Sequence, residues 1–154
     1  MNIITQWLAA GVAAFCFVGG AFAAEDRGTK DEAKAMVDAA VEHIKKVGAD
    51  KAYKDFTTDK AAWNKKDLYV VAFDSKGVAL AHGANEKLVG KDLSALKDGN
   101  GTLILPGLQA AANKGGGWFD YEWPDPLTKK ISPKSTYAKK LPTGDGFVGV
   151  GVYR

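Results

Sequence analysis

The chain has 154 residues, 46% of them hydrophobic and 25% charged, with 21 basic residues against 18 acidic and a net charge of +3. That length holds one domain with a real core and not two, and the average composition excludes a disordered or fibrous polypeptide. Basic and acidic residues interleave without a Lys/Arg block, so the charge pattern argues against a nucleic-acid partner.

In chain order, the first feature is an uncharged run over residues 3–23, followed at once by Glu25-Asp26-Arg27. Ala21-Phe22-Ala23 gives the small-x-small pattern of a signal-peptidase site. Residues 1–23 are therefore read as a signal peptide cut after Ala23, leaving one domain over residues 24–154 in the periplasm. The n-region lacks Lys and Arg and the run nearly suffices to span a bilayer, so an uncut anchor is the alternative. The sole cysteine, Cys16, lies in that run, and the mature chain would have no disulfide, thiol nucleophile or thiolate metal site.

Thr29-Lys30-Asp31-Glu32 reads as a capping box, and Ala33, Met36, Val37, Ala40, Val41, Ile44 and Val47 recur behind it at helical spacing until Gly48. His43 falls at the edge of this stripe and reads as a solvated helix residue. A second, shorter helix starts near Asp50 and carries Ala52, Tyr53 and Phe56. Leu68 to Phe73 is apolar on both faces and reads as a central strand, with Val78 to His82 returning after the Asp74–Gly77 turn. Asn85 to Asn100 reads as a polar loop with one helical turn near Leu93, and Pro106 opens a helix that stops at Gly115. Trp118 to Trp123 is an aromatic strand broken by Pro124-Asp125-Pro126. Ile131 to Lys139 begins its partner, and Phe147 to Tyr153 closes the chain as a glycine-containing apolar strand.

These elements make an α+β domain: a long N-terminal helix on one face of an antiparallel sheet of about five strands. The inner strands are apolar on both sides, so the second face needs a cover, and the segment from His82 to Gly117 is the material for a loop and short-helix lid. A lid over a sheet face makes a small-ligand cavity.

The succession LYVVAFDSKGVALAHGANEKLVGKDL, then GGGWFDYEWPDP, then PKSTYAKKLPTGDGFVGVGVY resembles the single Cache domain of the second type, a PAS-like extracytoplasmic sensor module. The resemblance runs from Thr29 to Tyr153. It rests most on His82, Leu88-Val89-Gly90-Lys91-Asp92, Gly117-Trp118 with Tyr121 and Pro126, Lys134 with Tyr137, and Gly149 to Tyr153. It implies a sensor of small carboxylates such as acetate, propionate, lactate or pyruvate. It also implies a membrane-bound receptor or sensor kinase as the place where that state is read. Gly83 follows the histidine where family members often carry proline, and the sequence stops at Arg154 without a second membrane helix. The expectation is then a stand-alone exported form that passes its state to a separate partner.

Lys134 is the candidate for fixing an anion, because an ammonium in a partly dry, aromatic-lined site attracts a carboxylate more strongly than in water. The plain alternative is a solvated strand lysine like its neighbours Lys129, Lys130, Lys139 and Lys140. Tyr121 and Tyr137 are candidates to donate hydroxyls to the same carboxylate, with Trp118 ahead of Trp123 as an apolar wall. Strand alternation sets Phe119, Tyr121 and Trp123 on one face and Trp118, Asp120 and Glu122 on the other, so the whole set cannot share a pocket without a bulge. His82 could hydrogen-bond a ligand or titrate near its ordinary pKa, or could simply tie down the loop backbone.

Scattered carboxylates without EF-hand spacing, and two distant histidines, give no metal motif. Phosphate-loop, dinucleotide and Gly-x-Ser-x-Gly signatures are absent, so no cofactor and no enzymatic activity are expected. The competing expectation is an interaction protein with a vestigial pocket, dimerising through the N-terminal helix.

Overall fold

The computed structural model describes residues 27–154, and the run read as a signal peptide lies outside the described residues. Helix α1 (Lys30–Val47) begins at the capping box, with the Thr29 side chain accepting from the Glu32 N–H and the Glu32 carboxylate accepting from the Thr29 N–H. Asp31 and Glu32 in its first turn and Lys45 and Lys46 in its last complement the helix dipole. Helix α2 (Ala49–Thr58) and the single turn α3 (Lys60–Trp63) follow. His43 is not a freely solvated residue. Its Nε2 sits 2.8 Å from Asp55 of α2, and its ring packs on Phe56 and Trp63. The α1–α2 turn brings that edge of the stripe against the second helix.

Strands β1 (Asn64–Lys65), β2 (Leu68–Asp74), β3 (Ala79–His82), β4 (Gly117–Pro124), β5 (Ile131–Lys140) and β6 (Gly146–Tyr153) form an antiparallel sheet in the order β1-β2-β6-β5-β4, with β3 pairing β2 as well. The sheet thus has six strands where about five were expected. The extra one is the two-residue β1, too short to announce itself in sequence. Strands β2 and β6 are apolar on both faces because they pair centrally, with Val71 opposite Gly149 and Ala72 opposite Val148.

Parity divides the core in two. Leu68, Val70, Ala72, Val148, Val150 and Val152 point to one face, against Ala33, Val37, Ala40 and Ile44 of α1 and Phe56 of α2. Tyr69, Val71, Phe73, Phe147 and Tyr153 point to the other, under helix α4 (Ile104–Asn113) with Ile104, Leu105 and Leu108 inward. The connection between β3 and α4 holds only a short 3₁₀ turn, Glu86–Leu88. It is pinned by isolated bridges Val78 to Asp92 and Lys97 to Leu103, and by Asp92 and Asp98 carboxylates accepting local backbone N–H groups. Helix α4 and this connection form the lid over the second face.

Candidate ligand cavity

The register of β4, β5 and β6 decides which side chains meet. Tyr121 pairs with Lys134, and Lys134 pairs with Tyr153, so these three share the lid face. Trp118 pairs with Tyr137, three residues along each strand, and the odd step puts that pair on the helix face. Tyr137 and Trp118 therefore do not join Lys134. Their rings contact each other at 5.3 Å, and the ammonium groups of Lys30 and Lys34 on α1 lie over them at 4.9 and 5.4 Å. They seat α1 on the sheet. His82, Tyr121 and Lys134 are the predicted residues that the fold brings together, with Tyr69, Val71, Phe73, Leu96, Ile104, Leu105, Leu108 and Trp123 completing the wall.

Lys134 is the chemical centre of this cavity. It is 3% exposed, and its Nζ donates to the Tyr69 hydroxyl at 2.6 Å while facing the Tyr69 and Tyr153 rings at 4.2 and 4.8 Å. An ammonium carries three donors, and this is the one hydrogen bond it makes among the described residues. Among the described residues no carboxylate reaches it within ion-pair distance, although Asp67 and Asp125 stand near enough to favour its charge. Both of those carboxylates are engaged. Arg27 bonds Asp67 at 3.0 Å and Asp125 at 2.7 Å, and the N–H groups of Gly28 and Leu127 donate to them as well. Burial outweighs their pull and lowers the Lys134 pKa to about 7.

The floor beneath Lys134 is glycine. A Cβ on Gly151 would overlap the lysine Cε and the Thr136 hydroxyl, so the bare backbone is what lets the stem lie flat across β6. The tyrosines around it form a connected set. Tyr69 and Tyr153 hydroxyls are 3.1 Å apart, Tyr153 donates to the Pro124 carbonyl at 2.8 Å, and the Tyr121 and Thr136 hydroxyls are 2.9 Å apart. Desolvation raises all three phenol pKa values, so each remains a neutral donor.

Of the roles the sequence left open for His82, the fold shows the tying down of the loop backbone, and burial moves its titration away from neutrality. Its Nδ1 accepts from the Ala84 and Asn85 N–H groups at 3.3 and 3.0 Å. That fixes the tautomer with hydrogen on Nε2, which makes the ring a donor at its other end. Burial first, then the charges of Lys134 and Lys60, lower its pKa to about 4. At the next residue the Gly83 N–H donates to the Val70 carbonyl at 2.8 Å, a bond that a proline there could not make.

The open space inside is about 20 Å³, enough for one water-sized group, and it is bounded on one side by the lid. The lining sets a polar end of ammonium and phenol hydroxyls against an aliphatic end from β2 and α4, the chemistry of a small anion with an apolar tail, which would need the lid to move outward to enter. Tyr69 and Tyr153 were missed as candidates in the sequence. Their signal was present: each is the one polar-tipped residue in an otherwise apolar run, LYVVAF and FVGVGVY.

The model of the family described as Single Cache domain 2 matches residues 23–154. The chain belongs to that family. Solved Cache relatives share its architecture. A methyl-accepting chemotaxis protein from Vibrio parahaemolyticus is 33% identical, with a TM-score of 0.69 over 80% of this chain and 87% of that one. The periplasmic sensor domain of a chemotaxis protein is 27% identical, with a TM-score of 0.66 over 87% of this chain and 99% of that one. A third structure, described as the basis for carboxylic acid recognition by a Cache chemosensory domain, is 23% identical with a TM-score of 0.65 over 80% of this chain and 91% of that one, a likeness of fold. Among curated proteins, the sensor histidine kinase MctS of Rhizobium johnstonii is 32% identical over 88 residues, 57% of this chain. That stretch spans only 19% of the kinase. Cache domains are extracytoplasmic sensor and binding domains, and the Cache domain described here is homologous to the sensor parts of chemoreceptors and kinases. Among its described residues no helix is long and apolar enough to cross a membrane, and no group of three or more His, Cys, Asp or Glu residues could hold a metal ion.

Proposed function

We propose that this Cache domain is an exported sensor that holds a short organic acid between sheet and lid and passes its occupancy to a membrane-bound receptor or kinase. The observation that carries this reading is Lys134: a buried ammonium with one phenol partner and no ion pair among the described residues is unfavourable unless an anion joins it. A carboxylate there would take hydrogen bonds from Lys134, with the Tyr121 hydroxyl and the His82 Nε2–H as neighbouring donors. Its tail would lie on Val71, Leu105 and Leu108. Among the described residues no carboxylate lines the cavity to hold an ammonium, which favours simple acids over amino acids. The carboxylic-acid recognition named for one structural relative is consistent with this class. We extend the reading to residues 1–23 as a leader removed after Ala23, and to a periplasmic domain over 24–154; mass spectrometry of the exported chain tests the cut.

The small open volume favours a second reading, in which the domain's own side chains fill a vestigial pocket and it acts by interaction alone. The apolar stripe of α1 is spent on the sheet, so a homodimer through that helix would rest on Ala35, Ala39 and the charged residues around them. A thermal-shift screen of residues 24–154 against short monocarboxylates and amino acids separates the two. A ligand at a hundredfold excess over its dissociation constant adds about 2.7 kcal/mol of stability. A shift with acids supports the sensor; a flat panel, with a dimer by light scattering, supports the interaction protein.

A further inference from the structure

Two hollows on the lid side meet at one wall. The inner one is the Lys134 cavity. The outer one, of about 310 Å³, is lined by Asn85, Leu88, Pro126 and Lys129, and it shares Tyr69, His82 and Trp123 with the inner. Two of the shared residues are fixed: Tyr69 by Lys134 and Tyr153 at its hydroxyl, His82 by two backbone N–H groups on its ring. Trp123 lies against the first of these, with its indole N–H directed at the Tyr69 hydroxyl. It is half-buried, stands at the end of β4 beside Pro124, and meets Tyr121 edge-on at 6.3 Å.

The chemistry of the two hollows also differs. Among the described residues, the inner one offers no second cation apart from Lys134, only the neutral Tyr121 hydroxyl and His82 Nε2–H among apolar and aromatic side chains. The outer one carries the Lys129 ammonium and the Asn85 side chain, although the Asn85 oxygen already accepts from the Lys87 N–H and leaves its amide N–H₂ as the donor. Asp125 also borders the outer hollow, but Arg27 and the Leu127 N–H occupy its carboxylate. A second carboxylate on a ligand held by Lys134 would therefore find a second cation only beyond the shared wall.

We propose that Trp123 is a specificity-determining residue: its indole walls the inner cavity from the outer hollow and restricts the site to acids with a single carboxylate. This rests on the sensor reading above and adds to it the distinction between mono- and dicarboxylates. With the indole removed, a four-carbon dicarboxylate can place one end on Lys134 and the other beside Lys129.

The test is isothermal titration of the wild-type domain and of Trp123→Ala, Trp123→Leu and Trp123→Phe with propionate and with succinate. The wild type and Trp123→Phe should bind propionate and reject succinate. In Trp123→Ala and Trp123→Leu the succinate-to-propionate affinity ratio should rise about tenfold, the worth of one charge-assisted hydrogen bond. Adding Lys129→Ala should remove that gain while leaving propionate binding unchanged. The ratio is internal to each variant, so lost stability alone does not produce it, and the leucine variant stands in if the alanine one does not fold. An unchanged ratio in both small variants, or a wild type that binds succinate as well as propionate, overturns the proposal. A wild type that binds neither acid overturns the sensor reading itself, and the proposal with it.

Discussion

The two faces of the sheet are built from the same kinds of residue and do different work. On the helix face, Trp118 and Tyr137 meet at a tilt under Lys30 and Lys34, whose ammonium groups stay at the surface of α1. On the lid face, Tyr69, Tyr121 and Tyr153 surround a lysine that is inside. In the first arrangement water solvates the cations and the rings contribute area; in the second a cation has lost its water and gained one phenol. What differs is strand parity: from Trp118 to Tyr121 and from Lys134 to Tyr137 is three residues, an odd number. One hairpin thus supplies an anchor to one side and a candidate anion site to the other.

The sharpest way to break this comparison is Lys134→Met. The variant should lose anion binding by about a hundredfold or more, since a buried charged partner is worth about 2–5 kcal/mol. Its unliganded stability should hold or improve, because methionine fills similar volume without a buried charge. Calorimetric titration and urea unfolding read the two quantities. Unchanged affinity would remove Lys134 from the site.

The opposite pattern is expected across the sheet. Trp118→Ala should cost about 2–3 kcal/mol of stability, somewhat below the range for a fully buried tryptophan, and leave the affinity for acids unchanged. A Trp118→Ala variant that folded normally but bound a hundredfold more weakly would erase the division between faces. Gly151→Ala falls between them. The new methyl displaces the lysine stem, so it should cost about 1–3 kcal/mol and weaken binding together, by the same two measurements.

How much of this was legible follows the same physics. The long helix, the central strands and the lid segment were readable because periodicity and double-sided apolarity are local properties. The association of His82, Tyr121 and Lys134 drew on the family resemblance, and alternation alone already separated Trp118 from Tyr121. The step from Lys134 to Tyr137 was equally odd, but its consequence needed the certainty that β5 runs unbroken, which Pro133 obscured. The Arg27 clamp on Asp67 and Asp125 was invisible, because it joins residues 40 and 98 positions apart. The near-neutral titration moved from the histidine to the lysine for a related reason: both shifts come from burial, which no local pattern reports.

That displaced titration gives the most graded prediction. Burial lowers His82 from 6.5 to about 4 and Lys134 from 10.5 to about 7. In both windows, pH 4 to 6.5 and pH 7 to 10.5, the unfolded chain holds a proton that the folded chain has released. Stability rises with pH wherever the unfolded state binds more protons, so each group makes the free protein more stable as pH increases through its window. Anion affinity runs the other way above pH 7, since the acid needs the ammonium and must bring a proton with it, at a cost of up to about tenfold per pH unit. Between pH 7 and 9 the difference in unfolding midpoint between wild type and Lys134→Met should therefore move in favour of the wild type, while wild-type affinity for the acid declines. The two trends have opposite signs and one source, which sets them apart from general loss of structure at alkaline pH. An affinity flat from pH 7 to 9 would mean that the ammonium stays charged in the empty cavity. The pull of Asp67 and Asp125 through the Tyr69 cluster would then outweigh burial at the one place where the lid face differs most from the helix face.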